Sequence, residues 1–223
     1  MYEAQILEQF KGMPVFHLAD ASQVIKSREY AKKFLARMVE EKKIQKIRRD
    51  FYTLHSDPFL ASAFIMKPSY ITSVSALYFH RLITQIPKDV FCCTEKQSST
   101  VKFISEIKYM HTDYFFGFTM LKYEGFSVPV AVPEKAVIDS IGFAPLSLVE
   151  EAFDSIDGKE LVKFLEIIKK SSVVKRIGFL AERNGLDVYK KLEKFINKKY
   201  INLDPLAKNS GKKDAKWKVI VNG

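Results

Sequence analysis

Residues 18–54 read LADASQVIKSREYAKKFLARMVEEKKIQKIRRDFYTL, and this stretch decides the fold of the N-terminal part. Leu18 to Ile25 carries a short helical pattern that breaks at Lys26-Ser27, where the Ser27 hydroxyl can accept from the free N–H groups of a following helix. That second helix begins at Arg28. Its apolar residues Ala31, Phe34, Leu35 and Met38 fall at i, i+3, i+4 and i+7, with Val39 widening the stripe. Arg28, Glu29, Lys32, Lys33, Ala36 and Arg37 lie on the opposite side, so cations line the face a recognition helix turns to a major groove. Ile44-Gln45-Lys46-Ile47 and Phe51-Tyr52-Thr53-Leu54 are β-prone runs joined by the polar turn Arg48-Arg49-Asp50. Two helices followed by such a hairpin predict a winged helix-turn-helix, with Arg48 and Arg49 at the wing tip where guanidinium groups meet phosphates.

Working outward, Tyr2 to Phe10 predicts a helix with Ile6, Leu7 and Phe10 on one side, ended by Gly12-Met13-Pro14. Val15-Phe16 then predicts a short strand that pairs with the wing. On the far side, His55-Ser56-Asp57-Pro58 punctuates the chain, because the residue before proline disfavours the helical region. The expected organisation is a winged helix-turn-helix over residues 1–56 and a mixed α/β domain over residues 57–223, giving an α+β chain with an antiparallel sheet and a helical C-terminal part.

At 223 residues the chain is long enough for two domains. It has no run of about 18 apolar residues, and Met1-Tyr2-Glu3 leads into an amphipathic helix, so no membrane span or signal sequence is expected. Cys92 and Cys93, the only cysteines, are adjacent in an apolar run and unsuited to an ordinary internal disulfide; a cytoplasmic location fits this usage. Residues 1–54 hold 11 Lys and Arg against 7 Asp and Glu, residues 55–154 hold 8 against 11, and residues 155–223 hold 17 against 8. Basic ends around an acidic middle point to a polyanionic partner, since cations that displace counterions from a phosphate backbone supply sequence-independent affinity. Lys175, Arg176, Arg183, Lys190 and Lys191 are the candidates for a second phosphate-binding patch.

In the body, Ser73 to Phe79 predicts a buried helix, and strands are expected at Val90–Thr94, Glu106–Met110, Tyr114–Tyr123 and Phe126–Val132, with a turn at Gly125, in an antiparallel meander. Pro133 suits the first position of a helix through Ile141. Asp157 and Glu160 have capping-box spacing before Leu161 to Lys169, Ser171-Ser172 can cap the next helix, and a last helix carries Leu186, Tyr189, Leu192, Phe195 and Ile196. Lys208 to Ala215 is polar enough to be mobile, whereas Trp217 to Val221 is too apolar to hang free and should return to a sheet.

An enzyme reading rests on Glu134, Lys135 and Asp139, since carboxylates with a lysine can hold a metal at a phosphodiester in a nuclease. Glu134 and Asp139 stand five residues apart, about 140° around a helix, so they do not converge; Glu134 reads as a helix-start acid and Lys135 as a solvated cation. His17, His55, His80 and His111 lack zinc spacing. Gly-x-x-x-x-Gly-Lys, Gly-x-Gly-x-x-Gly and Gly-x-Ser-x-Gly motifs are missing, so no catalytic residue, metal or cofactor is expected. Tyr114-Phe115-Phe116-Gly117-Phe118 reads as core in preference to a base-stacking platform.

Met13-Pro14-Val15-Phe16, Tyr30-Ala31-Lys32-Lys33-Phe34-Leu35 and the Lys46 to Tyr52 hairpin resemble the AbiEi family of type IV antitoxins. Lys67-Pro68-Ser69-Tyr70-Ile71 with Ser75-Ala76-Leu77, Gln85-Ile86-Pro87, Pro133-Glu134-Lys135-Ala136 with Asp139, Val174 to Leu180 and Lys216-Trp217-Lys218 are similar to that family in order and spacing. The resemblance implies a repressor that binds double-stranded operator DNA, autoregulates its operon and opposes a nucleotidyltransferase toxin without necessarily binding it. Ser27, Arg28, Tyr30, Lys32, Lys33, Arg37, Lys46, Arg48 and Arg49 are then the expected DNA contacts. Related wings often carry glycine where this chain has Asp50. The alternatives are a winged-helix regulator of other genes and a metal-dependent nuclease.

Overall fold

The apolar stripe of residues 28–40 organises the N-terminal part of the protein. The computed structural model describes residues 2–208 and 210–222, in a mixed α+β arrangement. Its contacts divide it into two units, one of residues 1–71, 88–112 and 120–129 and the other of residues 72–87, 113–119 and 130–223.

The first unit begins with α1 (Tyr2–Phe10), β1 (Phe16–His17), α2 (Leu18–Ile25), α3 (Arg28–Glu40), β2 (Gln45–Arg48) and β3 (Phe51–Thr53). The break between α2 and α3 is local: Lys26 is left-handed at φ 60°, and the Ser27 hydroxyl accepts from the Tyr30 amide at 3.3 Å. Ala31, Phe34, Leu35 and Met38 of α3 are buried with Ile6 and Phe10 of α1 and Leu18, Ala21 and Ile25 of α2. Phe16, Ile44 and Tyr52 complete this cluster, so the first 54 residues have an apolar core of their own. β3 is the middle strand of a three-stranded sheet, antiparallel to β1 and to β2. The β2–β3 turn is a two-residue one, Arg49-Asp50 between paired Arg48 and Phe51, and Asp50 lies at φ 64°.

α4 (Pro58–Ile65) follows, capped by the Asp57 carboxylate on the Phe59 and Leu60 amides, and then β4 (Ser69–Ile71). The boundary expected after residue 56 does not coincide with the division of contacts. Arg48 Nη2 donates to the Ile65 carbonyl at 3.0 Å, Tyr123 donates to Asp57 at 2.7 Å, and β2 lies beside strand 99–103.

After α5 (Ser73–Phe79) come β5 (Val90–Thr94), β6 (Ser99–Phe103), β7 (Ser105–His111), β8 (Phe118–Tyr123) and β9 (Phe126–Ala131). The expected meander is overturned. The sheet order is β6-β7-β5-β4-β9-β8, with β7 parallel to β5 and antiparallel to β6. β7 buries Ile107, Tyr109 and Met110 as an interior strand, whereas β6 exposes Ser99, Thr100 and Lys102 as an edge strand does. β8 starts four residues later than the sequence suggests, because Gly117 turns at φ 73° and a Cβ there would stand 3.0 Å from the Lys135 side chain.

In the second unit α6 (Pro133–Ser140) lies against α5, and α7 (Leu146–Glu150), α8 (Gly158–Ile168), α9 (Ser171–Arg183) and the short α10 (Tyr189–Leu192) follow. Of the capping box expected at α8 only the Asp157 half forms, since the Asp157 amide donates to Glu134 and not to Glu160; Lys170 caps α9 without a side-chain bond, and Ser171 instead accepts from the Asn197 amide at 3.1 Å. The expected last helix is shorter, with a 3-10 turn at Glu193–Phe195 after α10. The tail does return. β10 (Ile201–Asn202), β11 (Lys212–Asp214) and β12 (Val219–Val221) make a three-stranded sheet with β12 in the middle, so part of the stretch expected to be mobile is a strand. Trp217 is buried over Gly178, where a Cβ would stand 2.1 Å from the indole, and its Nε1 donates to Glu182 at 2.7 Å. No helix among the described residues is long and apolar enough to cross a membrane.

Candidate nucleic-acid interface

Helix α3 turns one face to its core and presents the other, and the side chains on the open face are exposed: Arg28, Glu29, Lys32, Lys33, Ala36 and Arg37. Lys32 and Lys33 make no ion pair among the described residues. Arg37 is held on the protein, with Nε 3.7 Å from Glu41 and its guanidinium 4.9 Å over the Phe34 ring. Arg28 stands 3.8 Å from the Asp50 carboxylate of the hairpin turn. Tyr30 is half exposed, with its ring against Tyr2 and Phe34, and Ser27 uses its hydroxyl as the cap of α3. The N-terminus of a capped helix favours negative charge in front of it, which adds to the cations beside it.

The hairpin supplies less than its sequence promises. Lys46 on β2 and Arg49 in the turn are exposed. Arg48 belongs to the strand, and its guanidinium is turned onto the protein: Nη2 bonds to the Ile65 carbonyl, the group lies 4.0 Å over the Phe51 ring, and Nε is buried without a partner. An arginine anchored in this way is a brace for the hairpin, so Arg48 is not at a free wing tip. The cause is register, because Arg48 pairs with Phe51 and the two-residue turn leaves Arg49 as the only arginine at the tip.

The second patch is not assembled as expected. Lys175 is buried, donating to Asn197 Oδ1 at 2.6 Å and the Lys199 carbonyl at 2.5 Å. Burial, with Lys218 and Lys199 nearby, lowers its pKa. Arg176 donates to the Asn202 carbonyl at 2.8 Å and is itself depressed by burial. Arg183 is ion-paired with Glu150, leaving Lys190 and Lys191 as the exposed members. Periodicity could not reveal this, because α9 has both Lys175 and Arg176 on its way to the β10 segment, where backbone carbonyls receive them. The cations that do gather in this unit are Lys213 and Lys218, whose ammonium groups lie 5.2 and 5.5 Å from the Tyr200 ring centre.

The cluster weighed for catalysis is buried and bonded within the protein. Lys135 is 1% exposed, not solvated, and pairs with Asp139, which also accepts from Thr72 Oγ1 at 2.7 Å. Glu134 is buried and accepts from the Asp157 amide at 2.9 Å. The i, i+4 pair on α6 is Lys135 with Asp139, where the sequence predicts a solvated lysine. Among the described residues no group of three or more His, Cys, Asp or Glu side chains could hold a metal ion.

No family model matches the sequence, and no curated protein matches it. In fold the chain is similar to the RV2827C protein from Mycobacterium tuberculosis, known from a crystal structure, at 9% identity with a TM-score of 0.68. The match covers 98% of this chain and 90% of that one. At this identity the likeness concerns the fold alone, and it extends through both units.

Proposed function

We propose that residues 1–54 form a winged helix-turn-helix that binds double-stranded operator DNA, and that the protein is a transcriptional repressor of the AbiEi antitoxin kind. The observation that carries the reading is the exposed, unpaired Lys32 and Lys33 on α3, beside a hairpin whose turn exposes Arg49. In this arrangement α3 enters the major groove and the hairpin follows the flanking phosphates. Lys32, Lys33, Lys46 and Arg49 are the first contacts, Arg28 and Arg37 contribute after leaving Asp50 and Glu41, and Arg48 supports the hairpin from behind. In the second unit the lysines around Tyr200 replace the patch expected on α9 as an additional phosphate contact.

The antitoxin role rests on the ordered motifs of both units, several of which occupy structural positions: Ser75-Ala76-Leu77 is buried in α5, Pro133-Glu134-Lys135-Ala136 starts α6, and Lys216-Trp217-Lys218 brings Trp217 onto Gly178. The opposing toxin on this reading is a nucleotidyltransferase, with no complex required. A gel-shift titration with the DNA upstream of the protein's own reading frame tests the repressor role. Selective, salt-sensitive retardation supports it, and equal binding to scrambled DNA refutes it. Growth rescue on co-expression with a neighbouring nucleotidyltransferase tests the antitoxin role, and continued arrest with both proteins expressed refutes it.

A further inference from the structure

Lys135 and Lys175 are each only 1% exposed, and they differ in what meets their charge. Lys135 has the Asp139 carboxylate. Lys175 has no carboxylate among the described residues: its ammonium donates to two neutral oxygens, Asn197 Oδ1 and the Lys199 carbonyl, and the charged groups near it are two further cations, Lys218 and Lys199. A buried charge is ordinarily paired. The lysines concerned gather on one small part of the second unit. Lys199 and Tyr200 lead into β10, the Ile201 amide donates to the Lys218 carbonyl at 3.2 Å, and the Lys213 and Lys218 ammonium groups lie over the Tyr200 ring. Asn197 ties this segment to α9 twice, through its amide on Ser171 Oγ and its side-chain oxygen on Lys175. Lys199 and Lys213 are exposed, Lys218 is partly so, and none of the three makes an ion pair among the described residues. Asp214, next to Lys213, is turned to the Trp217 amide at 2.7 Å.

From this arrangement we propose that the ammonium groups of Lys199, Lys213 and Lys218 form a binding site for a single phosphate group, with Lys175 beneath it as a positioning residue. Positive charges gathered without a carboxylate repel one another. A phosphate seated among the exposed three offsets that repulsion and accepts charge-assisted hydrogen bonds from them. Lys175 does not touch the ligand. It holds the Asn197 to Lys199 segment in place and adds its charge from the interior, where screening is weaker than at the surface. Two ammonium groups already lie over the Tyr200 ring, so the ring is not an open platform for a base and the ligand is recognised by its charge. The inference takes up the phosphate contact assigned above to the lysines around Tyr200. It rests on the DNA-binding reading only for the source of the phosphate, which is either a DNA backbone or a free phosphate or monoester.

The test is an NMR titration of the full isotope-labelled chain with inorganic phosphate, against sodium chloride at equal ionic strength. The expected result is saturable shifts of the Lys199, Tyr200, Lys213 and Lys218 amides with phosphate alone, at a Kd on the order of 1 mM. Lys199→Ala with Lys218→Ala should weaken binding about tenfold, the scale of two exposed ion pairs. Lys175→Met, an apolar chain of similar length, should weaken it about threefold. Lys190→Ala with Lys191→Ala removes the same charge from exposed positions outside the cluster and should leave the affinity unchanged. Shifts that follow ionic strength, undiminished binding in the Lys199 and Lys218 variant, or equal weakening in the Lys190 and Lys191 variant each overturn the proposal; if Lys175→Met does not fold, the exposed variants decide it. The upstream duplex then separates the sources. A backbone phosphate shifts the same amides, and the salt slope of the Lys199 and Lys218 variant flattens by about 0.9 for each lost contact. With a free phosphate or monoester, the duplex leaves those amides and that slope unchanged. A chain that binds phosphate here but no duplex keeps this site and removes the DNA reading.

Discussion

Replacing Lys33 with alanine tests the interface through its electrostatics. Lys33 is exposed near the middle of the open face of α3 and makes no ion pair among the described residues, so truncation removes a cation without disturbing the core. Alanine is at least as good a helix former as lysine, and thermal stability should stay within about 0.5 kcal/mol of wild type. If Lys32, Lys33, Lys46 and Arg49 each neutralise one phosphate, the plot of log K against log salt has a slope near −3.6, from about 0.9 per contact. Raising salt from 50 to 200 mM then weakens the wild-type complex about 150-fold and the variant, at a slope near −2.7, about 40-fold. Fluorescence anisotropy on the upstream duplex at four or five salt concentrations reads both slopes. An unchanged slope together with an unchanged affinity at 50 mM would refute the argument that this face of α3 meets the phosphate backbone.

Other expectations concern what holds the fold. Gly178→Ala forces a methyl into the Trp217 indole and should cost about 1–3 kcal/mol, or more if α9 cannot shift, read as a lower urea midpoint; an unaltered midpoint would show that the tail does not seat there. Asp139→Ala removes the buried carboxylate that Lys135 and Thr72 share and should destabilise by about 1.5–3 kcal/mol, the scale of a hydrogen bond to a charged group, whereas a catalytic role without a structural one would leave the midpoint untouched. Cys92 is fully buried, and burial pushes its thiol up to about 12, so a thiol reagent at pH 8 should label Cys92 only as the protein opens; rapid labelling of Cys92 in the native state would contradict this environment.

The helices and hairpin of the first 54 residues were legible because each carries its own local signal: the stripe of α3, the Ser27 cap and two β-prone runs around a polar turn. Pro133 and Asp157 marked their helix starts for the same reason. What was hidden depends on partners distant in sequence. The parallel pairing of β7 with β5 joins strands that are not consecutive in the chain, which alternation in one strand does not specify without its neighbours. Arg48 looked free because nothing near it in sequence shows that the Ile65 carbonyl comes to meet it, and Lys175 looked exposed until Asn197 and Lys199 closed over its ammonium. Lysine and arginine have long apolar stems, and a basic run alone does not tell which of its members are consumed internally.

The central claim is that the open face of α3 meets DNA, and a photo-crosslinking residue at Ala36, exposed between Lys33 and Arg37, tests it most directly. With the upstream duplex under irradiation, substitution at Ala36 should give a covalent protein–DNA species that unlabelled upstream DNA competes away and scrambled DNA does not. The same residue at Glu166, on α8 of the second unit, should give none. DNA binding by the Ala36 variant with no crosslink at that position, or a crosslink at both positions of equal yield, would contradict the account.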